Sequence, residues 1–511
     1  YFSNKLKYKN NYVSLKRNIP SPIAQPIIDE IKSIKGLYVD NAKRRYYPQS
    51  NLASQVLGYV DSDDKGQFGI EHQFDENLKG SISRVAYNRS ASGKLTKELT
   101  IKQPTINDGD DIKLTLDIKL QSILENELKK STIKTSAKSA NGIIMNPFTG
   151  EILAMATYPS FNPNEYEKFP MENYKNRTIS DAYEPGSTYK IINLATALES
   201  NIISVLDTFY CENGKYELPR GKIVHDHEPH ENMSVEDIFI QSSNIGIMKI
   251  AEILGDKILY NSSRRFGFGM KTGIKLPNET TGKLRMLKNW SGISGRMISI
   301  GQEISSSTLQ VAMAYSTIAN GGFMIKPYIV KTIGKSNLDN DYPKVLRKII
   351  SEDTCNKVLS MMEKVVTSGT GTNAYIPGFR VGGKTGTAEK FIDGSYSKRD
   401  FISSFASIFP VDNPKYVCVV SIDSPKYGYH WGNETAAPVI NGIFSRIIND
   451  IEKPTLYTNL NQSLIKKPTS SYENVTKKIN VNVPTLKTKK SISLKESKQI
   501  PNFIGKTLKE S

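Results

Sequence analysis

The chain has 511 residues, 38% of them hydrophobic and 23% charged, which predicts two or more folded domains and excludes a largely disordered protein. Its three cysteines, Cys211, Cys355 and Cys418, are far apart, which argues against a disulfide framework and against a zinc ribbon. The formal net charge of +17 permits an acidic partner, but no zinc-finger, helix-turn-helix or RNA-binding aromatic pattern accompanies it, so we expect no nucleic-acid partner.

The sequence of the first 115 residues predicts a mixed region of strands and loops. Turn-like runs interrupt it at residues 46–48 and 66–69. Residues 111–117 alternate polar and apolar side chains, which is the period of a half-buried strand. The sequence contains no run of 18 apolar residues, so it offers no candidate membrane-spanning helix. Because residue 1 is Tyr rather than Met, we expect the natural N-terminus to lie upstream.

The next segment predicts a helix, a hairpin and a second helix. Residues 118–130 have the helical period, with one apolar face formed by Leu120, Ile123, Leu124 and Leu128. Residues 141–155 contain two short apolar runs around a turn at 146–150, which is typical of a hairpin. Residues 187–200 again repeat apolar side chains at helical spacing.

The following 250 residues complete an α+β pattern. We predict helices at 235–254 and 308–319, and the start of a strand at 380–383. Two more strands are predicted at 401–409 and 416–422, and a closing helix at 437–451. This order of elements favours an antiparallel sheet flanked by helices.

The C-terminal segment differs from the rest in composition. Residues 453–499 are rich in Lys, Thr, Ser, Asn and Pro, and their ten lysines against two glutamates account for +8 of the net charge. This composition is typical of a solvated linker. Residues 500–511 then resemble the first residues of another module.

The first chemical motif, Ser187-Thr-Tyr-Lys190, brings a nucleophile and a base together. Serine needs an adjacent base, and a lysine three residues later on a helix lies about 5–6 Å away at Cβ. Burial lowers the pKa of a lysine, so that its free amine can accept the serine proton. Pro185-Gly186 predicts a sharp turn that places Ser187 at the helix N-terminus, where free amides favour negative charge. In isolation, these residues also fit an ordinary capping serine beside an exposed lysine.

Two further motifs follow along the chain. Ser242-Ser243-Asn244 supplies a hydroxyl that can relay a proton and a carboxamide that can orient a peptide. Lys384-Thr385-Gly386-Thr387 supplies a lysine and hydroxyls that can bind a carboxylate from a strand, and Gly386 leaves room for a substrate backbone. Alone, the first of these motifs also fits a helix cap and the second a surface turn.

Together, S-x-x-K, S-x-N and K-T-G in this order are the signature of penicillin-binding proteins and serine β-lactamases. The sequence resembles class B penicillin-binding proteins, the monofunctional peptidoglycan D,D-transpeptidases, and in particular their septal or division type. The resemblance rests on pedestal-like segments at 45–48, 57–59, 69–71 and 78–80, and on transpeptidase-like segments at 149–155, 183–187, 301–302, 309–310 and 319–322. The segment from Ile500 to Gly505 resembles the start of a PASTA module.

The resemblance implies an α+β fold with a serine β-lactamase/transpeptidase-like domain and an N-terminal mixed α/β pedestal of the dimerisation type. We assign residues 1–115 to a partial pedestal, 116–452 to the transpeptidase domain, 453–499 to the linker and 500–511 to the PASTA start. The anchor helix and first pedestal motif of the family are missing, so we expect truncation at the N-terminus and within the PASTA module. Asn146 stands where an aspartate is usual.

The resemblance also implies the catalytic roles. Ser187 attacks the carbonyl of the penultimate D-Ala of a stem pentapeptide, and Lys190 takes its proton. Ser242 passes a proton to the departing D-Ala, and Asn244 holds the substrate amide. Lys384 is the fifth catalytic residue that the resemblance implies, after Ser187, Lys190, Ser242 and Asn244. A second stem amine then attacks the acyl-enzyme, which cross-links the wall.

Substrate binding is assigned to the strand that carries the third motif. Lys384 and Thr387 hold the terminal carboxylate of the substrate, while Thr385 and Gly386 shape the strand. The backbone amides of Ser187 and Thr387 form the oxyanion hole, where loss of one donor costs about 3–4 kcal/mol. This chemistry requires no cofactor and no metal.

Partners and location follow from the family. The implied ligands are stem pentapeptides ending in D-Ala-D-Ala and β-lactam antibiotics. The implied protein partners are a SEDS-family lipid II polymerase and membrane proteins of the divisome. The expected location is the outer face of the cell membrane, with an anchoring N-terminal helix outside this chain.

Three other activities share these motifs. A serine β-lactamase is disfavoured because no E-x-x-L-N segment supplies a deacylating glutamate. A D,D-carboxypeptidase has the same fold and donor, but the pedestal argues against it. A non-hydrolytic β-lactam sensor is the binding-protein alternative and needs a membrane signalling region.

A histidine cluster at residues 225–230 is a candidate zinc site. His225, His227 and His230 are three of the five histidines in the chain, and H-x-H with a third histidine can supply zinc ligands. The favoured interpretation is a polar loop before the helix that carries Ser242, because the serine chemistry needs no metal.

Overall fold

The structure of the protein is a computed structural model that describes residues 44–80, 108–337, 342–392 and 394–451. It also describes short stretches between residues 13 and 39 and between residues 87 and 97. The chain divides into two units, Tyr1–Lys466 and Lys467–Ser511, and the second lies outside the described residues. The predicted linker at 453–499 and module at 500–511 lie outside them as well.

The α-helices range from single turns to one helix of 19 residues. In chain order they are α1 (Ser21–Ile31), α2 (Ser54–Leu57), α3 (Gly69–Gln73), α4 (Asp75–Leu78), α5 (Ile118–Thr135), α6 (Arg177–Ser180), α7 (Lys190–Glu199), α8 (Val235–Ile240), α9 (Asn244–Leu254), α10 (Asp256–Arg265), α11 (Ser294–Ser299), α12 (Thr308–Ala319), α13 (Glu352–Ser368) and α14 (Gly432–Asp450). Short 3₁₀ helices lie between them, at Pro163–Lys168, Met171–Tyr174, Gly186–Tyr189, Glu212–Gly214, Pro219–Gly221, Leu287–Asn289 and Thr372–Ala374.

The strands form one five-stranded sheet and several smaller ones. They are β1 (Tyr59–Val60), β2 (Gly66–Gln67), β3 (Tyr87–Arg89), β4 (Leu95–Lys97), β5 (Ile112–Leu114), β6 (Ser139–Met145), β7 (Ile152–Tyr158), β8 (Thr208–Tyr210), β9 (Lys215–Glu217), β10 (Ile223–His225), β11 (Asn232–Ser234), β12 (Phe323–Ile325), β13 (Val330–Ile333), β14 (Ser336–Asn337), β15 (Val345–Lys348), β16 (Gly382–Ile392), β17 (Ser395–Phe409) and β18 (Tyr416–Asp423).

The five-stranded sheet has the order β16-β17-β18-β6-β7, and every neighbouring pair is antiparallel. Across β16 and β17, Thr387 lies opposite Ser403, and across β17 and β18, Ser403 lies opposite Ile422. β16 and β7 are therefore the edge strands. This places the strand of the third motif at an edge of the sheet.

Helices cover both faces of this sheet. Side chains alternate between the faces along a strand, and Ile143 and Val419 belong to a core shared with α7, α9, α12 and α13. Their neighbours Ile144 and Val420 belong to a second core shared with α5 and α14. Because both faces are buried, β6 is buried at every residue.

Polar caps define where the long helices begin. The carboxylate of Asp117 accepts hydrogen bonds from the amides of Lys119 and Leu120 at the start of α5. Ser307 and Gln310 form a reciprocal capping box at the start of α12. The apolar faces that follow are buried in the two cores, so each helix is held by its cap and its packing together.

Most of the predicted elements are confirmed. The α+β class is correct, as are the hairpin with its turn at 146–150, the helix at 308–319, and the strands at 401–409 and 416–422. The helix from residue 118 runs five residues further, to Thr135, and the strand at 111–117 shortens to Ile112–Leu114. The region before residue 115 contains the short helices α1 to α4, which the sequence did not predict.

Two predicted helices need correction. The helix at 235–254 is two helices, α8 and α9, because Ser243 turns its side chain to cap the amide of Gly246 and leaves helical backbone geometry. The closing helix begins at Gly432, five residues before its predicted start, because residues 432, 435 and 436 pack into the buried interior. Among the described residues, no helix combines the length and apolar character needed to span a bilayer.

Candidate active site

Ser187 lies on a tight turn at the N-terminal end of α7. Gly186–Tyr189 forms a 3₁₀ helix, and Lys190 then begins the α-helix. Gly186 has a φ of 54°, which glycine adopts without strain, and its amide donates to the carbonyl of Gly301 at 3.2 Å. A Cβ on Gly301 would lie 2.1 Å from the carbonyl oxygen of Gly186. The predicted sharp turn at Gly186 is therefore packed directly against a second glycine, Gly301, where a side chain would not fit.

Lys190 is fully buried and directed at the second motif. Its Nζ donates to the carbonyl of Ser242 at 2.6 Å and to Oδ1 of Asn244 at 2.8 Å. The Oγ of Ser242 lies 3.2 Å from the same nitrogen. The structure thus joins the first two motifs through the lysine.

Burial lowers the pKa of Lys190 to about 7, and the charge of Asp226 opposes this change. A neutral amine has two N–H groups and one lone pair. The carbonyl of Ser242 and the amide oxygen of Asn244 are pure acceptors, so they use both N–H groups. The lone pair then remains for a hydroxyl proton, which is the state a general base needs.

The second motif lies in the break between α8 and α9. Ser242 has a φ of 59°, in the left-handed region that is uncommon for a residue other than glycine. Its neighbour Ser243 caps α9, and Asn244 is the first residue of that helix. The strained backbone at Ser242 is what lets both its carbonyl and its hydroxyl face Lys190.

Sequence reasoning missed the role of Asp226 in this site. Its carboxylate accepts hydrogen bonds from the hydroxyl of Ser243 at 2.5 Å and from the amides of Asn244 at 2.5 Å and Ile245 at 3.1 Å. In the sequence, Asp226 is one residue of the histidine-rich segment 225–230. No local pattern signals this contact, because the partners lie 17 to 19 residues away.

Lys384 of the third motif is fully buried on β16. Within the described residues its Nζ has no hydrogen-bond partner, and it lies 5.8 Å from the centre of the Phe239 ring. Burial holds the pKa of Lys384 well below its usual range, and the neighbouring charge of Lys190 adds to this effect. An unpartnered buried amine of this kind is costly unless an acceptor binds beside it.

The edge strand β16 meets the nucleophile turn directly. A Cβ on Gly186 would lie 3.2 Å from the carbonyl oxygen of Thr387. The hydroxyl of Thr387 accepts a hydrogen bond from the amide of Gly432 at 3.0 Å, and Thr385 Oγ1 lies 3.1 Å from Thr370 Oγ1. Thr370 and Gly432 are further contacts that sequence reasoning missed.

The structure adds a packing reason for glycine at position 386. A Cβ at this position would lie 2.3 Å from Oγ of Ser404 and 2.9 Å from the methyl group of Thr188. The missing side chain therefore leaves room for the nucleophile turn and for β17. Glycine at 386 is needed for the protein's own packing.

The histidine-rich loop at residues 225–230 contacts the second motif and an aromatic ring. Among the described residues, no group of three His, Cys, Asp or Glu side chains is placed to hold a metal ion. The carbonyl of His225 accepts from the side-chain amide of Asn244 at 2.9 Å. The ring of His227 lies 4.9 Å from the ring of Trp431, centre to centre. The loop thus serves the second motif through its backbone and through Asp226.

Comparison with known proteins identifies the family. The penicillin-binding protein transpeptidase domain matches residues 141–448, and the penicillin-binding protein dimerisation domain matches residues 2–114. The chain belongs to this family. The predictions of a class B penicillin-binding protein, of a transpeptidase-like α+β fold and of a penicillin-binding transpeptidase enzyme are therefore confirmed.

The relatives of this chain include a sporulation protein and a peptidoglycan transpeptidase. Stage V sporulation protein D of Bacillus subtilis (strain 168) is 35% identical over 422 residues, which are 81% of this chain and 65% of that protein. The chain therefore spans slightly less than two thirds of this relative. Peptidoglycan D,D-transpeptidase FtsI of Escherichia coli (strain K12) is 30% identical, over 88% of this chain and 74% of that protein.

Solved structures show the same fold. Penicillin-binding protein 3 of Mycobacterium tuberculosis in complex with aztreonam superposes with a TM-score of 0.69 and 28% identity, over 79% of this chain and 90% of that chain. The transpeptidase domain of Burkholderia pseudomallei penicillin-binding protein 3 gives a TM-score of 0.59 and 31% identity, over 66% and 95% of the two chains.

Proposed function

We propose that this chain is a peptidoglycan D,D-transpeptidase that forms an acyl-enzyme at Ser187, releases D-Ala and cross-links stem peptides during cell-wall synthesis. One observation carries the proposal, namely the set of contacts around the Ser187 turn. Lys190, at the end of this turn, donates hydrogen bonds to Ser242 and Asn244. Strand β16, which carries Lys384 and Thr387, packs against the same turn. Residues of three motifs that are far apart in sequence thus contact the turn that carries Ser187 or the lysine at its end.

The proposed roles are those that the family resemblance implies, and this geometry supports them. Ser187 is the nucleophile, and Lys190 accepts its proton, because burial favours the neutral amine. Ser242 lies 3.2 Å from Lys190 Nζ and returns the proton to the leaving D-Ala nitrogen. Asn244 holds the amide of the substrate, and Lys384, whose amine has no hydrogen-bond partner among the described residues, receives an acceptor group of the substrate.

The edge strand supports the proposed binding of the substrate. Every second backbone amide of an edge strand points away from the sheet, here toward the nucleophile turn. We assign the oxyanion hole to the amides of Ser187 and Thr387, and the carboxylate site to Lys384 and Thr387. Thr385 and Gly386 keep the strand in place through their contacts with Thr370 and Thr188.

The domain assignment is part of the proposal. We place a pedestal in residues 1–115 and the transpeptidase domain in residues 116–452. The family matches at 2–114 and 141–448 support this division. The PASTA assignment at 500–511 falls outside the described residues and remains a prediction.

We also propose a location at the outer face of the cell membrane and a role in septal wall synthesis with a SEDS-family lipid II polymerase and divisome membrane proteins. The relative named FtsI supports a role of this type. The match to a sporulation protein favours a second candidate, synthesis of the wall of a spore. Depletion of the protein distinguishes them, because blocked septa indicate the first role and defective spores in normally dividing cells the second.

The deciding experiment is intact-mass measurement over hours after addition of benzylpenicillin. We expect one long-lived adduct, absent from Ser187→Ala and retained in the control Ser180→Ala, whose hydroxyl contacts Asp181 outside the motifs. Absence of an adduct, or its loss within seconds with turnover of the drug, would contradict the proposal. A second assay supplies a donor pentapeptide and an amine acceptor. A transpeptidase forms the cross-linked product, a carboxypeptidase only hydrolyses the terminal D-Ala from the donor, and a sensor does neither.

A further inference from the structure

Asp226 contacts the start of α9 with both of its carboxylate oxygens. One oxygen accepts from the hydroxyl of Ser243 at 2.5 Å, and the other accepts from the amides of Asn244 and Ile245 at 2.5 and 3.1 Å. A carboxylate at a helix N-terminus is favoured both by the free amides and by the helix dipole. The contact fixes the backbone of the segment that faces Lys190.

The same loop fixes the direction of the Asn244 side chain. Its Nδ2 donates to the carbonyl of His225 at 2.9 Å, and its Oδ1 accepts from Lys190 Nζ at 2.8 Å. Because the amide nitrogen is held by a carbonyl, the amide oxygen has to face the lysine. Residues 225 and 226 together therefore determine which atom Asn244 presents to Lys190.

Asp226 also supplies a charge to this region. Lys190 and Lys384 are both fully buried, and a positive charge on Lys190 lowers the pKa of Lys384 further. Burial lowers the pKa of Lys190, and the charge of Asp226 raises it. The thiol of Cys211 lies 3.7 Å from Ser243 Oγ, but burial raises its pKa, so it stays neutral. Within the described part of the chain, Asp226 is the anion that acts on Lys190.

We propose that Asp226 is a positioning residue of the acylation reaction, which orients Asn244 against Lys190 and whose charge sets the pH range in which Lys190 works as a base. The inference rests on the proposed function, since acylation of Ser187 is its readout. Asp226 reaches Lys190 through Asn244, so it acts through other residues.

The test compares acylation rates of wild-type protein and Asp226→Asn with a fluorescent penicillin, from about pH 5.5 to about pH 9, the range around the pKa of a working base. Asparagine keeps the size and one acceptor oxygen but removes the charge. Loss of the anion lowers the pKa of Lys190, so the rising limb of the profile moves to lower pH. We expect a shift of roughly half to one pH unit, a change of about 3–10-fold in the free amine on that limb.

Three variants separate charge from geometry. Ser243→Ala removes one contact of Asp226 and keeps the charge, so the midpoint stays where it is in the wild type. Asp226→Glu also keeps the charge but changes the reach of the carboxylate, so its plateau rate falls and its midpoint stays. Asp237→Asn removes an exposed carboxylate on α8 that is bonded to Ser234, and it leaves the whole profile unchanged.

The outcomes are distinct. A shifted midpoint in Asp226→Asn alone supports the inference. A wild-type midpoint in Asp226→Asn overturns it, even if the rate falls at every pH, because a purely structural role would do the same. If Asp226→Asn does not fold, a wild-type plateau in Asp226→Glu overturns it. Failure of the wild-type protein to acylate overturns the proposed function together with this inference, whereas normal acylation with an unshifted variant overturns this inference alone.

Discussion

Lys190 illustrates how a single residue obtains its chemistry from its surroundings. Burial favours the neutral amine, and two acceptors, the carbonyl of Ser242 and the amide oxygen of Asn244, use its two N–H groups. The lone pair remains for a hydroxyl proton. Lys384 lies nearby without a partner among the described residues, which suits a group that is to bind an anion of the substrate.

Replacement of Lys190 by arginine tests the base directly. A guanidinium stays protonated at every accessible pH, so Lys190→Arg loses the base and acylates about 100-fold or more slowly. In the wild type, the acylation rate rises with pH and reaches half its maximum near the Lys190 pKa of about 7, because the ammonium below this pH has no lone pair. Stopped-flow acylation with a fluorescent penicillin measures both effects.

Lys364→Arg is the matched control for this substitution. Lys364 pairs with Glu236 on the surface, where either cation serves. Its profile should equal that of the wild type. An active Lys190→Arg protein, or a wild-type rate independent of pH between about 5 and about 9, would rule out Lys190 as the base.

At the scale of elements, the site depends on close approaches that only glycine permits. Gly301 stands behind the nucleophile turn, and Gly386 lets Thr188 approach the edge strand. The break between α8 and α9 adds a third device, because Ser243 caps α9 and Ser242 takes left-handed geometry. The two glycines join elements that come from different parts of the chain, and the break turns Ser242 toward Lys190.

Gly301→Ala should displace the nucleophile turn. The new Cβ would lie 2.1 Å from the carbonyl oxygen of Gly186, so the turn has to move. We expect a destabilisation of about 1–3 kcal/mol from overpacking. We also expect about 100-fold slower acylation, since a shift of the order of 1 Å has this effect on oriented groups. Denaturant unfolding and acylation kinetics measure the two losses.

Gly378→Ala separates steric contact from backbone strain. Gly378 has a φ of 80°, close to the 79° of Gly301, but a Cβ on Gly378 meets nothing within 4 Å. The variant should lose about 1 kcal/mol from left-handed backbone strain and acylate normally. Equal acylation by the two alanine variants would show that the turn does not depend on Gly301.

At the scale of the whole molecule, an aromatic cluster connects the N-terminal segment to the residues that follow β7. The ring of Tyr59 stacks on Tyr166 at 4.2 Å and meets Tyr174 at 5.2 Å and Phe161 at 6.0 Å, centre to centre. Nearby, Glu71 accepts a hydrogen bond from the hydroxyl of Tyr47. The ring contacts of Tyr59 tie the region of the dimerisation-domain match to the region of the transpeptidase-domain match.

Tyr59→Ala should weaken this connection. Tyr59 is 9% exposed, and removal of a buried aromatic ring costs about 3–5 kcal/mol. Tyr46→Ala is the matched control, because Tyr46 is 72% exposed and its loss should change the free energy of unfolding by less than about 0.5 kcal/mol. Urea unfolding of both variants measures the difference, and equal stability of the two would show that the cluster does not hold the segment.

The sequence by itself determined the fold class, most elements and the family. The reason is that these features rest on local patterns, whose residues lie within a few positions of one another. They include the helical and strand periods, capping residues such as Ser307, and the motifs Ser187-x-x-Lys190 and Lys384-Thr-Gly. Such patterns reflect backbone geometry that repeats in every protein.

Only the tertiary structure decided how these motifs meet. The partners of Lys190 lie 52 and 54 residues away, and the donors to Asp226 lie 17 to 19 residues away. The need for glycine at 386 also follows from contacts across the fold. No short spacing encodes such contacts, because they depend on which side chains the packed helices and sheet bring together.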